Sequence, residues 1–84
     1  MAEVVIGTIS DFFARISVAG IDLAAPLKVG DTIHIKGHTT DIIMPVQSMQ
    51  INNINVTEAK RGDAVGIKLT DRARKGDTVF VVTA

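Results

Sequence analysis

The chain has 84 residues, of which 46% are hydrophobic and 21% charged, and its nine basic and nine acidic side chains give a formal net charge of zero. This length suits a single domain, and the composition is far from the polar, highly charged composition of disordered chains. The sequence contains no cysteine, which excludes a disulfide framework and a thiolate metal site. We therefore expect one packed domain over residues 1–84.

The beginning of the chain bears on its compartment. Glu3 stands where a secretory signal would carry basic residues, and no apolar stretch approaches the roughly 18 residues of a membrane span. The expectation is a cytoplasmic protein with no membrane contact.

Short runs of alternating apolar and polar residues predict strands that are buried on one face. In chain order they cover residues 14–18, 32–36 and 65–69. More uniformly apolar runs fit strands covered on both faces. These cover residues 4–9, 46–51 and 79–82. At most one turn of helix is expected, near residues 57–61, so the pattern predicts an all-β fold.

The runs at the two ends of the chain, residues 4–9 and 79–82, bear on how the sheet is completed. Unpaired apolar edge strands are prone to aggregate, so these runs should pair with neighbours or with each other. Glycines near the run boundaries, together with Asn52 and Asn53, supply the turns. We expect a small closed antiparallel β-barrel of about six strands.

A Gly-Asp pair preceded by basic residues occurs three times, at Gly30-Asp31, Gly62-Asp63 and Gly76-Asp77. The intervals of 32 and 14 residues are unequal, which argues against a solenoid repeat. The motif is interpreted as a recurrent turn placed before a strand. The same interpretation is favoured over integrin binding for the tripeptide that begins at Arg61.

Several of these stretches together resemble domain 2 of the translational GTPases, and still more the small stand-alone elongation factor-like proteins built from that domain. They are residues 7–9, 27–37, 46–51, 59–67 and 75–79. The resemblance implies a closed antiparallel barrel that contacts tRNA, ribosomal RNA or a ribonucleoprotein. It does not imply GTP hydrolysis, because no two glycines have the spacing of a P-loop and none is followed by lysine. No nucleotide or other cofactor is expected.

Charge is unevenly distributed, with a local excess of four positive charges over residues 60–75 and an excess of three negative charges over residues 1–59. A basic patch is what contact with phosphate requires. The candidate nucleic-acid-binding residues are Lys60, Arg61, Lys68, Arg72, Arg74 and Lys75. A solvated pair of basic turns explains them equally well.

Two functions follow from these observations. The first is a non-catalytic, translation-associated module that contacts structured RNA or a ribonucleoprotein through the basic turns, which a closed barrel could bring to the same end. The alternative is a protein–protein docking module that packs on a separate enzyme or GTPase-like partner. The sequence shows no nucleophile and base in a convincing arrangement, so an enzyme is not expected.

Other residues favour structural roles. His34 and His38 would lie about 13 Å apart on a strand, which disfavours a shared metal ion. Of Phe12 and Phe13, which are adjacent, only one can enter the interior of an extended structure. Packing is favoured over ligand contact for these phenylalanines and for Met44, Pro45 and Met49.

Overall fold

The computed structural model describes residues 2–83, which form ten β-strands. In chain order they are β1 (Ala2–Phe13), β2 (Val18–Leu23), β3 (Leu27–Lys28), β4 (Thr32–Lys36), β5 (Asp41–Pro45), β6 (Met49–Ile51), β7 (Ile54–Val56), β8 (Glu58–Ala59), β9 (Ala64–Lys68) and β10 (Thr78–Thr83). The all-β prediction is confirmed. Residues 57–61, where at most one turn of helix was expected, contain β8 and the start of a tight turn. Within residues 2–83 no helix is long and apolar enough to cross a membrane.

Eight strands form one antiparallel sheet in the order β5-β4-β10-β1-β2-β9-β6-β7, and β3 pairs with β8 in a separate two-stranded ladder. The predicted pairing of the chain ends is confirmed, because β1 and β10 are neighbours in the middle of the large sheet. The expected closure into a barrel is not shown, because no ladder in the described part of the chain joins β5 to β7. Closure is not needed to protect the apolar end runs, since both already lie between paired strands.

The core is built by the strand alternation that the sequence predicted. Ile33 and Ile35 of β4 and Val79 of β10 are fully buried, and Val65 and Ile67 of β9 are nearly so. Methionines fill the same interior, with Met44 and Met49 both buried. Their predicted packing role is therefore confirmed.

One predicted strand is wrong. Residues 14–17 form the turn that joins β1 to β2, with Ser17 at a positive φ of 55°. Ile16, expected to face the core, is 60% exposed at this tip. The alternation of apolar and polar residues there belongs to a hairpin loop, where burial does not follow strand periodicity.

A neighbouring glycine explains why β2 was not predicted. Gly20 lies inside β2 and not at a boundary, opposite a register shift in β1 between Ile9 and Asp11. A Cβ at Gly20 would lie 3.0 Å from the Ser10 hydroxyl. Glycine is therefore placed where a bulge brings the opposing strand close.

Candidate functional site

The three Gly-Asp motifs adopt one common turn. In each, the glycine has a φ between 92° and 99°, and the aspartate N–H donates to the carbonyl three residues earlier. The aspartate carboxylate accepts a hydrogen bond from the N–H of that same earlier residue: Lys28 for Asp31 (3.0 Å), Lys60 for Asp63 (2.9 Å) and Arg74 for Asp77 (2.8 Å). The turn interpretation is thus confirmed, and the Asp63 carboxylate is engaged within its own turn.

All six predicted basic residues are exposed, but they do not form one patch. The turn that contains Lys60 and Arg61 is anchored by the Gly62 N–H, which donates to the Leu23 carbonyl at the end of β2. The connection that carries the other basic turn is anchored by the Leu69 N–H, which donates to the Ser17 carbonyl before the start of β2. The turn at Arg74 is itself held by the Gly76 N–H, which donates to the Ile9 carbonyl of β1. The basic side chains of this turn lie next to Phe12, which pairs with Ala19 near the start of β2. The two basic turns therefore do not lie at the same end of β2.

The second basic group lies beside the β1–β2 hairpin. Arg72, Arg74 and Lys75 line a shallow depression together with Asp11 and Phe12. Phe12 packs against the core and Phe13 is 51% exposed, so Phe12 is the phenylalanine that reaches the interior.

A different surface concentrates apolar side chains in an unusual way. The strand register aligns Val5 of β1, Phe80 of β10, His34 of β4 and Ile43 of β5 in one row across four adjacent strands. This row lies on the face opposite the core. Val5 is 53% exposed and Ile43 63% exposed. Exposed apolar side chains that adjoin one another are a feature of binding surfaces.

His34 occupies the middle of this row and is nonetheless buried, with 6% exposure. Its Nδ1 lies 2.6 Å from Oε2 of Glu3, and its Nε2 lies 2.5 Å from Oδ1 of Asp41. Carboxylates accept hydrogen bonds, so both contacts are satisfied together when both ring nitrogens donate, which is the protonated form of the imidazole. We call this arrangement the His34 clasp.

The clasp perturbs the ionisation of its members. The pKa of His34 is raised because hydrogen bonds to Glu3 and then Asp41 favour the cation. The pKa of Glu3 is lowered, mainly by its hydrogen bond to His34, with Lys36 contributing. Burial opposes both shifts, but the partners outweigh it.

Lys36 completes the group. Its Nζ lies 3.5 Å from Oε1 of Glu3 and 5.5 Å from the centre of the Phe80 ring. Two carboxylates thus face two cations, and the formal charges of the cluster cancel. We call the row and its charged partners the His34 face, made up of Glu3, Val5, His34, Lys36, Asp41, Ile43 and Phe80.

The structure places His34 and His38, the two histidines considered as a metal pair, in different surroundings. Both nitrogens of His34 are occupied by carboxylates, whereas His38 lies exposed in the turn between β4 and β5. Among residues 2–83, no three His, Asp or Glu side chains are arranged to hold a metal ion.

Comparison with known proteins places this domain in a different context from the one that the sequence suggested. No protein-family model matches the chain. It is 44% identical over 81 residues to a protein named as an uncharacterized protease from Methanocaldococcus jannaschii, a match that covers 95% of this chain and 20% of that relative. The chain therefore spans about a fifth of the length of the curated relative that it matches.

Two crystal structures have the same fold. Both are of the C-terminal domain of a putative U32 peptidase from Geobacillus thermoleovorans, one of them a selenomethionine variant. Their TM-scores are 0.86 and 0.88, over 90% and 94% of this chain and 96% and 92% of theirs. At 10% identity this similarity establishes the fold alone.

These findings overturn the resemblance to elongation factors and, with it, the inferred RNA binding. The sequence similarity that covers the chain leads to a protein named as a protease, and the structural similarity to a peptidase domain. The motifs that suggested translation factors were mostly the Gly-Asp turns, which are local backbone chemistry and recur wherever strands need such a connection.

The His34 face was missed by sequence reasoning. Its members come from β1, β4, β5 and β10, and their adjacency depends on strand pairing over long separations. One feature could have drawn notice. Ile42 and Ile43 are consecutive on a strand, so one of them must face away from the core.

Proposed function

We propose that this chain is a non-catalytic docking module that packs on the remaining part of a larger, U32 peptidase-like protein, whether that part is a separate chain or the same polypeptide. One observation carries the proposal: nearly the whole chain matches a protease-named relative at 44% identity, yet it accounts for only 20% of that protein. This small share supports a role for the domain as a component of a larger assembly.

The similar structures support a folded unit of its own. The Geobacillus domain was crystallised apart from the rest of its peptidase, and this chain has the same fold over 90% or more of its length. The chain also has one contiguous set of buried apolar residues that spans the large sheet and β3. Interfaces between such a unit and its neighbour resemble other protein–protein interfaces.

The geometry of the His34 clasp supports a role without catalysis. A general base needs a ring nitrogen with a free lone pair. In His34 both nitrogens donate to carboxylates, of Glu3 and Asp41. The arrangement therefore stabilises a cation and does not prepare the imidazole to accept a proton.

A chimera tests the proposal. Residues 2–83 would replace the matched 81-residue segment of the M. jannaschii protein, and calorimetry would compare the melting temperature of the module in the chimera with that of the isolated chain. Docking stabilises the folded module, and each 1 kcal/mol raises its melting temperature by about 4–8 °C. We expect a rise of at least that size.

The control is the same chain joined by a long Gly/Ser linker to an unrelated carrier protein, where no rise is expected. An unchanged melting temperature in the chimera, equal to that in the linker control, would contradict docking.

A further inference from the structure

We propose that the His34 face is the surface through which the module packs on the larger protein, against an apolar, uncharged patch of that partner. This inference rests on the proposed docking function and identifies its surface and the chemistry of its occupant.

The apolar side chains of the His34 face are arranged in a row. Val5, Phe80 and Ile43 lie in one row on neighbouring strands, separated only by His34, and the outer two are more than half exposed. Of the other strongly exposed apolar side chains, Ile16 and Ile54 stand at the ends of hairpins, whereas Val4 of β1, 52% exposed, lies on the opposite face of the sheet. The His34 face thus presents an apolar row on the broad side of the sheet, next to the paired charges of the clasp.

The formal charges of the His34 face bear on the chemistry of its partner. The carboxylates of Glu3 and Asp41 are paired with His34, and Glu3 also with Lys36, so the formal charges on the face cancel. A partner that covers the face needs no opposing charge of its own there. The matching surface is therefore apolar and uncharged opposite the apolar row, because a charged partner group there would be desolvated without compensation. The side chains of Asp41 and Lys36 are 78% and 52% exposed beside the β4–β5 turn, and in the proposed interface they lie at the rim, where water still reaches them.

The side chains at the centre of the His34 face are held in place by their neighbours. His34 is fixed at both nitrogens, and the Phe80 ring lies against Lys36 and near the imidazole, with the two ring centres 6.4 Å apart. Side chains held in place before binding lose less conformational entropy when they are covered. A prearranged centre flanked by exposed Val5 and Ile43 is typical of an interface anchor.

The occupant is inferred from the length of the relative. Four-fifths of the M. jannaschii protein lies outside the segment that this chain matches, so in that protein the matched segment has a large neighbour in the same polypeptide. A tethered neighbour is present at an effective concentration of about millimolar, which favours it over a second copy of the module.

Thiol labelling locates the interface, because the chain has no cysteine of its own. Ile43→Cys places a thiol on the His34 face, and Ile54→Cys places a matched one on β7, at the other edge of the sheet; the parent isoleucines are 63% and 66% exposed. Labelling rates would be measured by peptide mass spectrometry in the isolated chain and in the chimera. We expect Ile43→Cys to react at least about tenfold more slowly in the chimera and Ile54→Cys at an unchanged rate.

The outcomes separate the inference from the proposed function. If the melting temperature rises in the chimera but only Ile54→Cys is protected, docking stands and the His34 face is the wrong surface. If neither thiol is protected and the melting temperature is unchanged, both proposals fail. If Ile43→Cys is already protected in the isolated chain, in proportion to concentration, a second copy covers the face and the inference is overturned.

If the chimera does not fold, the inference can be tested in the M. jannaschii protein itself. There, cysteine at the position aligned with Ile43 should be protected in the full-length M. jannaschii protein, and cysteine at the position aligned with Ile54 should not. Equal reactivity at the two positions would overturn the inference.

Discussion

Asp77→Ala offers a sharp test of how the repeated turn stabilises the fold. The carboxylates of Asp31 and Asp77 accept the same hydrogen bond, from the backbone N–H of the residue three positions earlier, at 3.0 and 2.8 Å. They differ in burial, because Asp77 is only 7% exposed whereas Asp31 is partly open to solvent. Any difference between the two variants therefore measures the effect of burial on one interaction.

The magnitude follows from the environment of each bond. A hydrogen bond to a charged group contributes about 1.5–3 kcal/mol, and an N–H left without a partner adds a penalty when water cannot reach it. For Asp77→Ala we expect a loss of about 2–3 kcal/mol, and for Asp31→Ala about 1 kcal/mol, because water replaces the lost acceptor there. For a domain of this size these losses lower the melting temperature by roughly 10–20 °C and 4–8 °C, respectively.

Thermal unfolding followed by circular dichroism at pH 7 would measure both variants beside the parent chain. Asp77→Asn is the matched control, because its amide oxygen can still accept the hydrogen bond from the Arg74 N–H. It should recover most of the loss. Equal losses for Asp31→Ala and Asp77→Ala, or no recovery with asparagine, would refute the reasoning.

Two further predictions concern the sheet. Gly37→Ala should lower the free energy of unfolding by about 1–3 kcal/mol, because a Cβ at this position would clash with the carboxylate of Asp77. In a double-mutant cycle the effect of Gly37→Ala should be smaller in the Asp77→Ala background, where that carboxylate is absent. Urea unfolding should show that the clasp stabilises the fold most between about pH 4.5 and 6.5. Because the pKa of His34 is raised on folding, its contribution is complete below about pH 6.5 and is lost as the pH rises through the raised value. Because the pKa of Glu3 is lowered on folding, its contribution is complete above about pH 4.5 and is lost as the pH falls through the lowered value. The other charged groups at the clasp are Asp41 and Lys36, and His34→Gln should remove the alkaline part of this dependence.

Local chemistry was predictable from the sequence wherever a few adjacent residues determine the structure. The Gly-Asp turns were predicted as turns, and their geometry at Gly30, Gly62 and Gly76 follows from the positive φ that glycine adopts without steric cost. Strands with clear alternation, such as β4 and β9, were predicted because their large apolar residues all point to the face that packs in the core.

Five of the ten strands were not predicted, and in two of these, β2 and β5, single residues have more than one structural meaning. In β5 the run ends in Pro45, and a proline weakens a strand prediction unless the strand lies at an edge. The structure places β5 at the edge of the sheet, which accommodates it. In β2, Gly20 was interpreted as a boundary because the bulge that faces it, in β1, cannot be seen in the local sequence.

The basic residues show how local charge can mislead. The excess over residues 60–75 is a property of the sequence, but β9 lies between its two parts and keeps the turn at Lys60 away from the one at Arg74. Their separation depends on the direction of one strand, which the charge pattern does not encode. The candidate RNA surface was therefore inferred from proximity in the chain and not in space.

The His34 face reverses this relation, because residues that are distant in the chain meet in space. His34 stands 31 residues from Glu3 and seven from Asp41, and it joins them only when β1 and β5 lie on either side of the β10–β4 pair. The alternation of apolar and polar residues correctly predicted that His34 faces away from the core. Its burial comes from the surrounding side chains of the outer face. A polar residue so enclosed on the solvent side of a sheet requires partners, and the two carboxylates supply them. The same pairing cancels charges that would otherwise oppose covering Val5 and Ile43, so the clasp makes this face compatible with an apolar partner.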